Sequence, residues 1–162
     1  MMPLVMTDPM KVLIIGGGRA AAIKATSVLR YQHDVTLLSP VFNDDCLNLC
    51  CRRVPGDLYQ MELESFAPYQ LIYLALPWPA TASRRTYLKS LCDHLKARGH
   101  LISVSCKPEL GNVINPCSRR VGEHLLSLSC ERSDPVNTRS LTQKLTNVLQ
   151  RMTSLQDQSN LI

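Results

Sequence analysis

Residues 11–22 read KVLIIGGGRAAA, and this stretch constrains the fold more than any other part of the chain. Lys11 is followed by an aliphatic run that ends at Ile15, which is typical of a buried strand. Three glycines predict a tight turn, and the alanine-rich residues 19–29 predict a helix packed against a sheet. Strand, glycine turn and helix in this order are typical of a parallel α/β sheet.

Short apolar runs alternate with helical patterns along the rest of the first two thirds of the chain. They predict strands at 35–38, 58–61, 71–76 and 101–104, with helices at 44–51 and 84–97. Beyond Lys107 the pattern changes. GNVINP and HLLSLSC predict short antiparallel strands, and a polar helix follows over 138–152.

The fold class is therefore α/β, a Rossmann-like parallel sheet with a small α+β dimerisation module. The predicted domains are a nucleotide-binding domain at 1–107, the module at 108–152 and a flexible tail at 153–162. A chain of 162 residues holds one domain, or one domain and a small appendage.

Composition excludes several classes of protein. The 45% hydrophobic content is that of a globular protein, and no apolar stretch approaches the roughly 20 residues of a membrane span. The first residues do not resemble a signal peptide, so we expect a cytoplasmic protein whose seven cysteines are reduced thiols. The net charge of +5, without a long basic run, favours a small acidic ligand over a nucleic acid.

The glycine turn predicts a dinucleotide site. Gly16, Gly18 and Ala21 fit G-x-G-x-x-A: the first allows the turn, the second a close approach of the pyrophosphate, and the alanine tight helix packing. Free N–H groups at the helix start would bind the phosphates. The alternative is a turn needed only for packing. The predicted cofactor-binding residues are Gly16, Gly17, Gly18, Arg19, Ala20, Ala21, Ser39, Pro40, Val41, Leu76 and Pro77.

The end of the second strand leaves the choice between NAD and NADP open. Where an acidic residue would bind the ribose of NAD, the chain has Ser39 and Pro40. Asp44 and Asp45 follow a few residues later, and we interpret them as the N-terminal cap of the next helix.

The segment KVLIIGGGRAAAIKATSVLRYQHDVTLLSPVF resembles the opening of the precorrin-2 dehydrogenase family, the dehydrogenase and ferrochelatase part of siroheme synthase. LIYLALPWPATASRR, HLISVSCKPELGNVINPCSRR and HLLSLSCERSDP are similar to later segments of that family in the same order. The resemblance spans residues 10 to 150. The family's C-terminal helical module has little counterpart here.

The resemblance implies NAD-dependent oxidation of precorrin-2 to sirohydrochlorin by a homodimer, with insertion of ferrous iron in the bifunctional members. The substrate carries many carboxylates, with which the positive net charge is compatible. The residues that the resemblance places at the substrate are Trp78, Lys107, Asn115, Arg119 and Cys130.

Two departures from the family pattern affect the predicted chemistry. Cys106 stands where siroheme synthase has a proposed catalytic aspartate, and Pro77, Trp78 and Pro79 stand where other members have one. Cys106 is the candidate catalytic residue: its thiolate would act as base or metal ligand, with Lys107 favouring the charged form. The alternative is a partly buried thiol without a chemical role. Trp78 would either stack on the ligand or fill the crevice.

The remaining thiols and imidazoles predict no metal site. Cys46 and Cys50 have i, i+4 spacing and Cys51 follows, but no CxxC or paired histidine accompanies them. Two functions therefore stay open. The first is an NAD-dependent precorrin-2 dehydrogenase, and the second is a non-catalytic relative that binds a nucleotide, tetrapyrrole or metal.

Overall fold

The computed structural model describes residues 5–131 and 134–159, which fall into two compact units. One unit covers Leu4–Ile114 and the other begins at Asn115. The domain boundary expected from the sequence lies at residue 107.

The first unit is built on a five-stranded sheet whose adjacent strands are all parallel. The strands, in the spatial order β3-β2-β1-β4-β5, are numbered along the chain as β1 (Lys11–Ile15), β2 (Asp34–Ser39), β3 (Arg52–Pro55), β4 (Leu71–Leu74) and β5 (Leu101–Val104). The helices are α1 (Arg19–Leu29), α2 (Asp44–Leu47) and α3 (Ala82–Ala97). The predicted α/β, Rossmann-like class is confirmed.

Alternation along the strands divides the core between the two faces of the sheet. Leu13 and Ile15 of β1 belong to one cluster, which includes Leu88 of α3. Val12 and Ile14 belong to the other, with the alanines of α1. Because successive side chains of a strand point to opposite faces, one β1 strand anchors helices on both sides of the sheet.

The chain changes direction between β1 and β4. It builds β1, β2 and β3 outward to one edge, and then returns to place β4 on the other side of β1. Ligands of open parallel sheets bind outside the carboxyl ends of the strands at such a switch point. The glycine turn follows β1 directly, so it lies at that point.

Several local predictions differ from the structure. The segment 58–61 was expected as a strand, but Leu58–Gln60 is a 3₁₀ turn that begins where the Asp57 side chain accepts from the Tyr59 N–H. The helix predicted over 44–51 ends at Leu47, and Arg52–Pro55 forms an unpredicted edge strand, β3. GNVINP forms no strand. The predicted cap is also wrong, because Asn43, and not Asp44 or Asp45, caps α2 by accepting from the Cys46 N–H.

The second unit contains an antiparallel hairpin and one long helix. The hairpin pairs β6 (Cys117–Val121) with β7 (His124–Leu128), and α4 follows as Pro135–Ser159. The helix begins three residues before the predicted start, because proline suits the first turn and Asp134 accepts from the Asn137 N–H. It continues to Ser159, into the segment expected to be a flexible tail. Across the described residues, no helix is both long and apolar enough to span a membrane.

Candidate functional site

A cleft of about 450 Å³ opens at the carboxyl ends of β1, β4 and β5. The turn after β1, the segment after β4 and the segment after β5 each form part of its wall. Its lining residues are Gly16, Gly17, Gly18, Arg19, Ala20, Ala75, Leu76, Pro77, Ser105 and Cys106. The fold therefore brings the glycine turn and Cys106 to one cavity, although 90 residues separate Gly16 and Cys106 in sequence.

The first glycine is required by the backbone. Gly16 has φ +137°, a conformation that residues with a side chain rarely adopt. A Cβ atom at this position would lie 2.6 Å from the carbonyl oxygen of Ala75, at the end of β4. The turn consequently passes very close to the neighbouring strand before α1 begins.

The carbonyl groups of the turn are directed back into the protein. The oxygen of Gly17 accepts from the Asn43 N–H at 2.8 Å. The oxygen of Gly18 accepts from the Ala22 N–H at 3.1 Å and from the Cys46 thiol at 3.6 Å. Asn43 and Cys46, at the start of α2, thereby fix the position of the turn on the side away from the cleft.

The N–H groups of the same turn are left for a ligand. In the described part of the chain, the N–H groups of Gly18, Arg19 and Ala20 bond to no protein acceptor. No acidic side chain in the first turn of α1 competes for them. Free N–H groups and the positive end of the helix dipole form a site for an anion such as a pyrophosphate.

The space around the turn differs between Gly18 and Gly17. A Cβ atom at Gly18 would meet nothing within 4 Å, so the backbone here borders the open cleft. At Gly17 a Cβ atom would overlap the carbonyl oxygen of Val41 and crowd Ser39. Gly17 therefore serves packing against the end of β2, a role that the G-x-G-x-x-A pattern does not indicate, because the contact is formed by residues distant in sequence.

Cys106 lies at the other wall of the cleft, two residues after the end of β5. It is half-buried and packs against the core cluster beneath α3. Burial raises the pKa of the Cys106 thiol, and the nearby Lys107 lowers it by less. The expectation that Lys107 favours the thiolate is therefore outweighed by desolvation, and the thiol is the dominant form at neutral pH.

Trp78 and Lys107 contact each other. The Lys107 ammonium lies 5.6 Å from the centroid of the Trp78 ring and 3.4 Å from a carboxylate oxygen of Glu109. Trp78 is half-buried and packs against the same cluster as Cys106. Neither Trp78 nor Lys107 is among the residues that line the cleft.

The other predicted cofactor residues of the first unit lie around the cleft. Ala21 is fully buried beneath the turn, where its small side chain allows α1 to approach the sheet. Ser39 is buried at the end of β2, whereas Pro40 and Val41 are exposed beyond it. Leu76 and Pro77 line the cleft directly.

The remaining predicted substrate residues belong to the second unit. Arg119 lies on β6, where its guanidinium donates to the Ser118 carbonyl at 2.9 Å. Asn115 precedes this strand, and Cys130 is exposed after β7. Arg132 and Ser133, which follow soon after it, lie outside the described residues.

The cysteines near α2 do not form the predicted arrangement. Cys46 is fully buried and Cys50 is exposed beyond the end of the helix, so the two thiols do not share a helical face. Among residues 5–131 and 134–159, no group of three or more histidine, cysteine or acidic side chains could hold a metal ion.

Sequence reasoning missed two residues of the cleft. Ala75 and Ser105 line it directly after β4 and β5. Their position in the sequence could have identified them, because small residues that directly follow parallel strands lie at the edge of the sheet where ligands bind.

Comparison with known proteins identifies the family. A protein family described as "Putative NAD(P)-binding" matches residues 5–117. Siroheme synthase 1 of Halorhodospira halophila is 30% identical over 137 residues, which are 85% of this chain. The chain spans 28% of the length of that relative.

A solved structure supports the same fold. SirC, a precorrin-2 dehydrogenase, matches with a TM-score of 0.67 and 16% identity, over 99% of this chain and 79% of that one. The family match confirms the predicted nicotinamide cofactor, with the choice between NAD and NADP left open. The chain therefore belongs to this NAD(P)-binding family, and the resemblance of its sequence to the precorrin-2 dehydrogenase part of siroheme synthase is confirmed.

Proposed function

We propose that this chain acts in tetrapyrrole biosynthesis as a precorrin-2 dehydrogenase that uses NAD. One observation carries the proposal: a single cleft contains both the open N–H groups of the glycine turn and the thiol of Cys106. The names of siroheme synthase 1 and SirC supply the substrate class. Ferrous-ion insertion is not included, because no carboxylate or imidazole lines the cleft.

The residues of the cleft would have different roles in such an oxidation. When bound, NAD supplies the hydride acceptor. The N–H groups of Gly18, Arg19 and Ala20 hold its pyrophosphate, and the apolar Leu76 and Pro77 exclude water beside it. The oxidation also releases a proton from the substrate, which Sγ of Cys106 accepts when the thiol is ionised. Because burial raises the pKa of this thiol, the rate is expected to increase with pH above about 9.

Turnover tests the proposal directly. Purified protein is incubated with precorrin-2 and NAD, or NADP, and the absorbance of NADH and sirohydrochlorin is followed. Cys106→Ala should lower kcat and flatten its pH dependence, while Cys106→Asp should restore activity at lower pH. Cys50→Ala, at an exposed position outside the cleft, is the matched control. NAD binding without any turnover would contradict the proposal.

A second function, cofactor binding without catalysis, is favoured by one observation. No carboxylate lines the cleft, and Cys106 is protonated at neutral pH. This alternative predicts that NAD or a tetrapyrrole binds to the protein and that neither is converted. The same experiment separates the two functions.

We also propose that the chain forms a homodimer through α4. The apolar residues Leu141, Leu145, Val148 and Met152 are 43%, 44%, 52% and 58% exposed. Their spacing of four, three and four residues forms one stripe, the pattern of helices that pack against each other. Leu145→Glu should convert a dimer to a monomer in light scattering, whereas Gln150→Glu, an exposed polar position on the same helix, should not. A monomeric wild-type protein would contradict this proposal.

The proposed location is the cytoplasm. All seven cysteines are free thiols, which supports a reducing compartment. Localisation of the tagged protein in fractionated cells tests this assignment.

A further inference from the structure

A second cavity lies entirely within the unit that begins at Asn115. It is a groove of about 620 Å³ between β6 and the first half of α4. Its polar lining consists of Arg119 from the hairpin and Arg139, Ser140, Gln143, Lys144 and Asn147 from the helix. We call it the basic groove.

The charge of the basic groove is of one sign. Arg119, Arg139 and Lys144 contribute three cations, and no aspartate or glutamate is among the lining residues. In the part of the chain that the structure describes, none of the three lies within 4.0 Å of a carboxylate. Like charges held together without a counter-ion repel, so an anion bound between them would be stabilised.

Local structure holds these groups in place. The Arg119 guanidinium donates to the Ser118 carbonyl, which fixes its orientation and leaves further N–H donors free. On α4, Arg139, Gln143 and Asn147 are four residues apart and form one row, in which the Gln143 amide donates to the Asn147 oxygen at 3.1 Å. Lys144 lies beside this row.

The face of α4 next to this row is buried. Thr142 and Thr146 are buried, and their hydroxyl groups donate to carbonyls one turn earlier in α4. The residues of α4 that line the groove are exposed, so they are not part of this buried face.

The size and lining of the groove define the class of ligand. A volume of about 620 Å³ is in the range of sites for small organic molecules and exceeds the need of one phosphate ion. No aromatic side chain lines it, so it lacks the stacking platform with which proteins bind single-stranded nucleic acids. Guanidinium groups bind carboxylates and phosphates in a bidentate manner.

We propose that the basic groove binds a small organic polyanion, with two or more clustered carboxylate or phosphate groups. This site is additional to the cofactor cleft of the first unit, and it includes Arg119, which the family resemblance places at the substrate. Binding of a polyanion to it can be measured without turnover. The carboxylates or the phosphates would lie between Arg119 on one side and Arg139 and Lys144 on the other.

Calorimetry of the full chain tests the proposal with two probes. Mellitate represents clustered carboxylates and pyrophosphate represents clustered phosphates, and the probe that binds more tightly identifies the source of the charge. The double variant Arg139→Gln, Lys144→Gln should raise the Kd for that probe by at least about tenfold, since each contact is charge-assisted. The matched control is Arg120→Gln, which removes a neighbouring cation that is exposed on β6 and does not line the groove.

Two further measurements, thermal unfolding and NAD affinity, separate loss of the site from loss of the fold. Thermal unfolding and NAD affinity of the double variant should equal those of the wild type, because the helix face is exposed and the cofactor cleft belongs to the other unit. Absence of binding of both probes to the wild type would overturn the proposal. So would an equal loss of affinity in Arg120→Gln, which would indicate a general charge effect.

Discussion

The thiol of Cys46 donates a hydrogen bond to the carbonyl oxygen of Gly18, with a distance of 3.6 Å between sulfur and oxygen. Cys46 is fully buried in the core cluster that includes α1. The contact joins α2 to the turn whose N–H groups face the cleft. The position of the turn therefore depends on a side chain that no ligand can touch.

Removal of this thiol should affect both stability and cofactor affinity. Cys46→Ala leaves a small cavity and a carbonyl with one partner fewer, so the free energy of unfolding should decrease by about 1–2 kcal/mol. The Kd for NAD should rise several-fold because the turn is less well held. Denaturant unfolding and calorimetry measure the two effects. Cys50→Ala, at an exposed site, should change neither, and an unaltered Cys46→Ala protein would contradict the role of the contact.

Two adjacent glycines should respond differently to alanine. Gly18→Ala places a methyl group in open space toward the cleft, so the fold should be kept while the Kd for NAD rises at least about tenfold. Gly17→Ala overlaps the Val41 carbonyl, and the free energy of unfolding should fall by about 2–3 kcal/mol. Thermal unfolding and NAD titration distinguish them. An unchanged NAD affinity in Gly18→Ala would contradict the assignment of the pyrophosphate site to this turn.

Cys92 makes the stability of the first unit dependent on pH in alkaline solution. It is fully buried on the inner face of α3, and burial raises its pKa from 9.0 to about 11. The neutral thiol is favoured in the fold, so this contribution is fully present below pH 9 and is lost as the pH rises through 11. The loss is on the order of 2 kcal/mol.

Replacement of the thiol by a group that does not titrate tests this dependence. Cys92→Val should lose less free energy of unfolding than the wild type between pH 9 and pH 11, measured by urea unfolding at each pH. Cys50→Ala should follow the wild-type profile. Parallel profiles for Cys92→Val and the wild type would show that the raised pKa is not realised.

Arg53 stabilises the end of α2 and its neighbour Arg52 does not share this role. One nitrogen of the Arg53 guanidinium lies 3.4, 3.2 and 2.9 Å from the carbonyl oxygens of Cys46, Leu47 and Leu49. Arg53→Met should lower the free energy of unfolding by about 1–2 kcal/mol, because these carbonyls lose a charged donor. Arg52→Met, in the same strand, should change it by less than about 0.5 kcal/mol. Equal effects in chemical denaturation would contradict this assignment.

The local parts of the fold could be predicted from the sequence. The bounds of β1 and α1 are those predicted, because an aliphatic run, a glycine turn and an alanine-rich segment each act over a few residues. β3 was missed because Arg52 and Arg53 interrupt the apolar pattern by which buried strands are found. Its position follows from pairing with β2, which no local pattern contains.

The site could be predicted only in part for the same reason. The free N–H groups of the glycine turn follow from the strand, turn and helix order alone. The packing role of Gly17 requires the approach of Val41, and the direction of the Cys106 pKa shift requires the core beneath α3. Both are tertiary effects. The basic groove was represented in the sequence by Arg119 alone, because its other cations are assembled by the face of α4.

The two outer strands of the sheet have a consequence for self-association. At one border, β3 is four residues long, carries two arginines and ends at Pro55, which has no N–H to donate. At the other border, Asn112 pairs with the outer edge of β5. Its side-chain oxygen accepts from the Ile102 N–H, and its own N–H donates to the Ile102 carbonyl. Both borders thus resist the addition of a further strand, which protects the protein from growth into β-sheet aggregates.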